Sequence, residues 1–225
     1  MQFKNSLIAS AALVASAVAQ SPAGFSPSTK TPLGIKFGNT ILFPNETLPQ
    51  SLPDTVTPTP YSAIPYLSKY MLLLVDLSIP EYFFTDEQIA TLVPGLGAGR
   101  TTRLHWWQTN VTHDILDGSF KYDSGAALAP YAGPQPPAGD SAHDYVFWLF
   151  PQPSNFVAPA AALAGEFDDP SSDARFNFSL PALAKQVGNP IAANYMRVEN
   201  AANPGAVTTV PAVALPTSIS VSISL

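Results

Sequence analysis

The 24 prolines of this chain constrain its fold more than any other feature. A proline has no backbone N–H, so it is excluded from the middle of a sheet and breaks a helix beyond the first turn. Only short helices and strands fit between prolines spaced this closely. Because 46% of the 225 residues are hydrophobic, the chain can still form the core of one domain rather than remain disordered. We therefore expect a mainly β fold with many loops.

Three apolar runs without proline predict the central strands. Tyr70–Asp76 (YMLLLVD) lacks polar alternation, which is typical of a strand buried on both faces. Tyr145–Phe150 (YVFWLF) is rich in aromatic and β-branched residues, and Leu104–Val111 (LHWWQTNV) predicts a third strand. Alternation in this third strand predicts one face with His105, Trp107, Thr109 and Val111, and another with Leu104, Trp106, Gln108 and Asn110. We expect Trp106 and Trp107 to be core residues.

Shorter elements are predicted on either side of these strands. Ile35–Phe43 predicts a hairpin that turns at Gly38-Asn39, and Leu180–Val187 predicts a helix that ends at Gly188. The prolines between Pro44 and Pro65 predict an extended surface connection. Further predictions are a helix that starts at Thr85–Gln88, a helical turn at Ala158–Gly165, an acidic turn at Asp168–Asp173, and strands at Phe176–Phe178 and Pro190–Val198.

The N-terminus has the pattern of a secretory signal peptide. Lys4 precedes an apolar, Ala-rich stretch, and Ala17-Val18-Ala19 is a small-residue cleavage site, so the mature chain would begin at Gln20. The apolar run is too short for a membrane anchor. The sequence contains three N-x-S/T acceptor triplets for glycans, at Asn45, Asn110 and Asn177. We therefore expect a secreted glycoprotein.

The sequence predicts three parts: a signal peptide over residues 1–19, a domain over residues 20–200, and a tail over residues 201–225. Ala201–Leu225 loses charge and becomes rich in Ala, Pro, Ser and Thr, which predicts a flexible low-complexity tail. The end of this tail lacks the continuous apolar run of a strong glycolipid-anchor signal.

Charge and cysteine content exclude several classes of function. The formal net charge is −6 and no basic patch is visible, which argues against a nucleic acid as partner. The chain contains no cysteine, so disulfides, thiolate catalysis and cysteine zinc sites are excluded. His113 follows an acceptor triplet and is expected on a surface loop.

Four blocks, taken in order, resemble the phosphatidylethanolamine-binding protein family: YMLLLVDLSIP (70–80), LHWWQTN (104–110), YAGPQPPAGDSAHDYVFWLFPQP (131–153) and RFNFSLPALAKQVGNPIAANY (175–195). The resemblance implies a β-sandwich with a few short peripheral helices. It also implies a small pocket at one end of the sheet that receives phosphate or a phospholipid head group. Carried over by position, the pocket residues are Asp76, His105, Gly133, Pro136, His143 and Tyr145.

The chain departs from the family pattern at three positions near this predicted pocket. Leu77 and Ser78 replace the second and third residues of an Asp-Pro-Asp motif, and Gln135 replaces a glycine of the Gly/Pro loop. The side chain of Gln135 restricts the backbone that would approach a ligand.

The residue types support a physical role for the pocket. Imidazoles, a tyrosine hydroxyl and loop amides can all donate hydrogen bonds to an oxyanion, and Asp76 would orient a histidine rather than touch the anion. Anion affinity should then rise below about pH 6.5, where an unperturbed imidazole becomes charged. The alternative is that both histidines are satisfied polar residues at the end of the sheet.

We expect a non-enzymatic protein that binds a phosphate-containing small molecule or a phospholipid head group and needs no metal or cofactor. The alternative is a module that binds proteins, such as an inhibitor of a serine carboxypeptidase, since the resembled family includes protease inhibitors. A weaker alternative is a hydrolase that uses Ser78 with a histidine and Asp76, or a metal site with two histidines and a carboxylate.

Overall fold

The computed structural model describes residues 21–62, 69–80 and 99–209. The strands are β1 (Gly34–Phe37), β2 (Thr40–Leu42), β3 (Glu46–Leu48), β4 (Thr59–Tyr61), β5 (Tyr70–Pro80), β6 (Arg100–His113), β7 (Phe120–Lys121), β8 (Ala127–Ala129), β9 (His143–Pro151) and β10 (Ala192–Val198). The α-helices are α1 (Ser51–Thr55), α2 (Ala160–Leu163) and α3 (Leu180–Val187), and 3-10 turns cover Ser124–Ala126 and Asp173–Arg175. The fold is mainly β, as predicted.

These strands form two sheets. The large sheet has the order β3-β10-β9-β5-β6-β7, with β8 also paired to β6, and the small sheet has the order β2-β1-β4. All pairings are antiparallel except that between β10 and β3. The two long apolar runs, β5 and β9, are central neighbours, which explains why both read as continuously hydrophobic.

The core lies on both faces of the large sheet. On one face, the small sheet packs Ile35 and Phe37 against Phe147, with the two phenylalanine rings 6.2 Å apart. On the other face, α3 buries Leu183 and Val187 in a cluster with the β-sheet tryptophans Trp107 and Trp148. A sandwich with a helical layer over its second face results.

Several predicted elements are confirmed. The hairpin turns at Gly38 with a φ of 59°, a backbone conformation that favours glycine. The helix Leu180–Val187 has the predicted bounds and ends at Gly188, where φ is 93°. Its first turn is capped by Ser179, whose side chain accepts a hydrogen bond from the Ala182 N–H.

The predicted alternation in β6 is wrong. Trp106 and Val111 lie in the core under the small sheet, whereas Leu104 and Trp107 lie in the core under the helices. The pairing of β5 with β6 shifts by a residue twice within the predicted strand, and one shift leaves His105 as the additional residue between Leu104 and Trp106. A β-bulge of this kind breaks the period of two and turns side chains to the other face. Trp106 and Trp107 are both buried, as predicted.

Three smaller predictions also need correction. The stretch between Pro44 and Pro65 contains β3, α1 and β4, although both strands lie at sheet edges, as its prolines require. Phe176–Phe178 is not a strand, since only Phe176 forms an isolated bridge, with Arg103. His113 is the half-buried last residue of β6 rather than a surface loop residue, and its Nε2 lies 2.8 Å from the Ser62 carbonyl.

Some predictions fall on residues outside the described ranges: the signal peptide, the helix start at Thr85–Gln88 and tail residues 210–225. Residues 201–209 are described and form turns, and Asn203 donates a hydrogen bond to the Asp140 carbonyl. In the part of the chain that the structure describes, no helix is long and apolar enough to span a bilayer.

Candidate functional site

Asp76 and His143 form a buried pair at one end of the large sheet. The Cα of Asp76 on β5 is paired in register with Tyr145 on β9, which brings the aspartate near the start of β9. Asp76 Oδ2 lies 2.8 Å from His143 Nδ1, and neither side chain is exposed. A bulge in β5 then returns the Ser78 N–H to Asp76 Oδ1 at 2.8 Å. The pairing of Asp76 with a histidine, predicted from the residue types, is present.

The second nitrogen of His143 is also occupied by a carboxylate. His143 Nε2 lies 3.1 Å from Asp140 Oδ2 in the loop before β9. Arg100 holds the same carboxylate with two hydrogen bonds, from Nη1 at 2.6 Å and from Nη2 at 2.8 Å. The hydrogen bonds from Arg100 lower the pKa of Asp140 well below its usual range. Sequence reasoning missed both Asp140 and Arg100, because their contact joins a loop to a distant strand.

These contacts shift the pKa of His143. Burial lowers the pKa of this imidazole, but the hydrogen bonds and negative charges of Asp76 and Asp140 outweigh it, so the pKa is raised above 6.5. The protonated form of His143 is therefore stabilised by the two carboxylates on either side of it. Both of its nitrogens are engaged, so in this arrangement it is not a free donor for a ligand.

His105 is in a different environment. The bulge in β6 places its ring edge-on to Tyr145, with the ring centroids 5.2 Å apart. Its Nδ1 lies 2.9 Å from the Ala132 carbonyl, and its Nε2 is buried without a hydrogen-bond partner. Burial lowers the pKa of His105 to about 4. At neutral pH this imidazole is uncharged.

Two arginines lie close enough to His105 to lower its pKa further by their charges, Arg103 and Arg175. Arg103 Nη2 donates to the Pro170 carbonyl, but its buried Nε has no hydrogen-bond partner. Sequence reasoning missed Arg103, although a residue two positions before His105 on a strand is a candidate for the same face.

Arg175 is fully buried, and its hydrogen-bond partners are backbone carbonyls. It donates to Phe167, to Pro130 at 3.1 Å and to His105 at 3.4 Å. Burial lowers the pKa of Arg175 to about 10, so it remains charged at neutral pH. The sheet end near His105 thus carries two guanidinium groups.

Tyr145 joins the two histidines. Its ring contacts that of His105 and stacks against that of His143 at a centroid distance of 6.2 Å. Burial, followed by the charge of the neighbouring Asp76, raises the pKa of the Tyr145 hydroxyl well above 10. The hydroxyl therefore keeps its proton at any physiological pH.

The structure does not join Gly133 and Pro136 to this group by any hydrogen bond among the described residues. At Gly133 a Cβ would lie 2.4 Å from the Asp54 Cα, so the residue allows the loop to pack against α1. Pro136 is buried, and its carbonyl accepts a hydrogen bond from Asn200. Gln135, which replaces a glycine of the family pattern, donates to the Asp54 carboxylate at 3.0 Å.

The contacts of the described residues bear on two alternatives, a metal site and a hydrolase that uses Ser78. Within residues 21–62, 69–80 and 99–209, no group of three or more His, Asp or Glu side chains is arranged to hold a metal ion. The Ser78 hydroxyl accepts a hydrogen bond from the Asp144 N–H. Because both nitrogens of His143 are bound by carboxylates, that imidazole is not placed to deprotonate Ser78.

The three predicted glycan acceptors share an unusual backbone conformation. Asn45, Asn110 and Asn177 have φ angles of 64°, 56° and 57°, a region that asparagine tolerates better than most residues. Asn45 and Asn110 are exposed, whereas Asn177 is half-buried and its side-chain oxygen accepts a hydrogen bond from the Thr101 hydroxyl. The turn conformation alone is a sufficient reason for an asparagine at each position.

Comparison with known proteins gives the family. The family model described as phosphatidylethanolamine-binding protein matches residues 67–202. The chain is 30% identical over 198 residues to phomoidride biosynthesis cluster protein N of Talaromyces stipitatus, which covers 80% of this chain and 89% of the relative. It is 39% identical over 108 residues to the protein of the same name from another fungus (Fungal sp.), covering 44% of this chain and 46% of that protein.

A solved structure supports the fold. The carboxypeptidase Y inhibitor, crystallised with its cognate proteinase, matches with a TM-score of 0.52 and 18% identity, over 75% of this chain and 82% of the inhibitor. At this identity the likeness shows the fold alone. Together with the family model, which covers more than half of the sequence, these findings assign the chain to the phosphatidylethanolamine-binding protein family.

Proposed function

We propose that this protein binds small phosphate-containing anions without covalent chemistry, and that His105 is the central contact. The observation that carries the proposal is the buried His105 Nε2, which has no hydrogen-bond partner. Buried polar atoms in native proteins are nearly always hydrogen-bonded, so an orphaned nitrogen indicates the place of a missing partner. Membership of a family described by its binding of phosphatidylethanolamine supports phosphate chemistry for that partner.

The surrounding residues fit this role. Arg103 has a buried Nε–H without a partner, and its charge and that of Arg175 favour an anion near His105. Asp76, His143 and Asp140 are already bonded to one another, so they hold the end of the sheet in one arrangement rather than contact the ligand. The Tyr145 hydroxyl is hydrogen-bonded to Asp76 and so belongs to this supporting group.

Two other functions are less well supported. The fungal relatives are named for a biosynthesis cluster, and that name does not specify a reaction. The likeness to a carboxypeptidase inhibitor extends to the fold only. Protease inhibition becomes the leading candidate if anion binding is absent.

The proposal is tested by an NMR titration of the whole protein with phosphorylethanolamine at pH 6, with the imidazole signals of its histidines as the readout. We expect a saturable shift of the His105 signals and binding at least tenfold weaker in His105→Asn. His113→Asn, a change in the other histidine of β6, serves as the matched control and should bind normally. Unchanged His105 signals at millimolar ligand would rule out phosphate binding at this site.

Secretion and glycosylation form a separate part of the proposal. They are supported by the signal-peptide pattern of residues 1–19 and by the exposure of Asn45 and Asn110. Protein purified from the culture medium of the source cells should begin at Gln20 and lose mass on treatment with an N-glycosidase. Intracellular protein that begins at Met1 and carries no glycan would contradict both.

A further inference from the structure

The hydrogen bond at Nδ1 fixes the tautomer of His105. A carbonyl oxygen only accepts, so the hydrogen between Nδ1 and the Ala132 oxygen belongs to the imidazole. In a neutral ring the other nitrogen then carries no hydrogen. The buried Nε2 of His105 is therefore a hydrogen-bond acceptor without a donor.

The groups around His105 maintain this neutral state. The ring is packed against Tyr145 of β9, and the charged groups that act on it are Asp76 of β5, Arg103 of β6 and Arg175 of the 3-10 turn. Burial and the two arginines disfavour the imidazolium and outweigh Asp76, which favours it, so the pKa is about 4. Protonation of His105 therefore does not supply a donor near neutral pH.

A bare oxyanion is a poor match for this arrangement, because each of its oxygens would bring a lone pair to face that of Nε2. A ligand that carries its own acidic hydrogen is a better match. Its hydroxyl would donate to His105 Nε2, and its anionic oxygens would remain for donors such as the unpaired Arg103 Nε–H.

We infer that the site selects oxyanions that carry a proton, such as inorganic phosphate or a protonated phosphomonoester, over fully deprotonated anions and phosphodiesters. This inference rests on the proposed phosphate-binding function and narrows it. A phosphodiester has no P–OH group. The site is therefore expected to discriminate against the head group of an intact phospholipid, whose phosphate is a diester, and in favour of its free phosphomonoester counterpart.

The first test compares phosphate with sulfate by calorimetry on the unmodified protein at pH 7 and constant ionic strength. The two ions have the same shape, but sulfate carries no proton at this pH. We expect phosphate to bind at least tenfold more tightly. Equal affinities would overturn the inference and leave the proposed function intact, whereas binding of neither ion would contradict both.

The second test distinguishes the free from the lipid-derived source. Phosphorylethanolamine, a monoester whose second pKa is about 6, is compared with glycerophosphorylethanolamine, a diester, between pH 5.5 and 7.5. We expect tighter binding of the monoester, with an affinity that rises as the pH falls through about 6. Equal binding of the diester, or a monoester affinity independent of pH, would overturn the inference.

The variant His105→Asn tests whether Nε2 is the atom that causes the selectivity for protonated oxyanions. The asparagine amide can still donate to the Ala132 carbonyl, as Nδ1 does, but offers no atom in the place of Nε2. We expect this variant to lose the preference for phosphate over sulfate, while His113→Asn keeps it. A preference retained in His105→Asn would assign the selectivity to another group. The comparison on the unmodified protein remains decisive if the variant does not fold.

Discussion

At the scale of residues, the pKa values of the two histidines of the site are shifted in opposite directions, for reasons that are visible in their contacts. His143 is held between Asp76 and Asp140, which raise its pKa despite burial. His105 is equally buried, but among the described residues its ring is hydrogen-bonded only to a carbonyl, and its pKa falls to about 4. The sequence-based expectation that both imidazoles donate to the ligand therefore does not describe this arrangement.

The raised pKa of His143 provides the first prediction. Asp140→Asn removes one of the carboxylates that raise its pKa and leaves the Arg100 charge unbalanced nearby. We expect the His143 pKa to fall by about one pH unit or more, as measured by NMR titration of the imidazole. Asp117→Asn, which alters an exposed carboxylate paired with Lys121, is the control and should leave it unchanged. An unaltered His143 pKa in Asp140→Asn would show that the contact with Asp140 does not raise it.

The lowered pKa of His105 predicts a pH dependence of stability. The unfolded chain takes up this proton near pH 6.5 and the folded chain near pH 4, so the stability contributed by neutral His105 is present above pH 6.5 and lost as the pH falls. The loss between these values is at most roughly 3 kcal/mol. The raised pKa of His143 contributes stability that is fully present below pH 6.5. His143 therefore does not make the free energy of unfolding depend on pH between these two values.

Urea unfolding at pH 6.5 and 4.5 measures this dependence. We expect His105→Asn to lose clearly less unfolding free energy over this interval than the unmodified protein, because asparagine does not titrate. If the variant and the unmodified protein lose the same unfolding free energy, titratable groups other than His105 cause the loss.

At the scale of elements, the predictable parts were those that depend on local pattern. The apolar runs predict β5 and β9, and Gly188 predicts the end of helix α3, because such signals lie within a few neighbouring residues. The bulge at His105 was not predictable, since it depends on how β6 pairs with β5 and not on the composition of β6. The contact of Asp140 with Arg100 joins residues 40 positions apart and was missed for the same reason.

The loop before β9 provides an element-scale prediction. Gly133→Ala would place a Cβ 2.4 Å from the Asp54 Cα, so the loop and α1 must move apart. We expect a loss of roughly 1–3 kcal/mol in the free energy of unfolding, measured with urea. Gly125→Ala is the control, because the nearest atom to its Cβ is a side-chain oxygen at 3.3 Å. Equal stability of both variants would contradict the proposed packing role of Gly133.

At the scale of the whole molecule, the small sheet and the helical layer pack on opposite faces of the large sheet, whose strand β6 carries His105. Asn194 on β10 fastens the small sheet to the large one, since its buried side-chain amide donates to the carbonyls of Leu33 at 2.8 Å and Leu42 at 3.3 Å. The family membership was predictable because its four blocks occur in order, whereas the selectivity that we propose for the site rests on contacts between distant strands and loops.

The attachment of the small sheet provides a whole-molecule prediction. Asn194→Ala leaves buried carbonyls without their donor, and we expect a loss of about 1–3 kcal/mol in unfolding free energy. Gln186→Ala removes a comparable amide that donates to the Val157 carbonyl at an exposed position, and should change stability by less than about 0.5 kcal/mol. A loss no larger in Asn194→Ala than in this control would argue against the fastening role.

We propose that a phosphate group occupies the position opposite His105 Nε2. A crystal structure of the protein with phosphorylethanolamine, grown without other phosphate or sulfate, tests this most directly. We expect a phosphate oxygen within about 3 Å of His105 Nε2, with the Asp76–His143–Asp140 contacts retained. A phosphate bound elsewhere on the surface, or an unoccupied His105 Nε2 at saturating ligand, would contradict it.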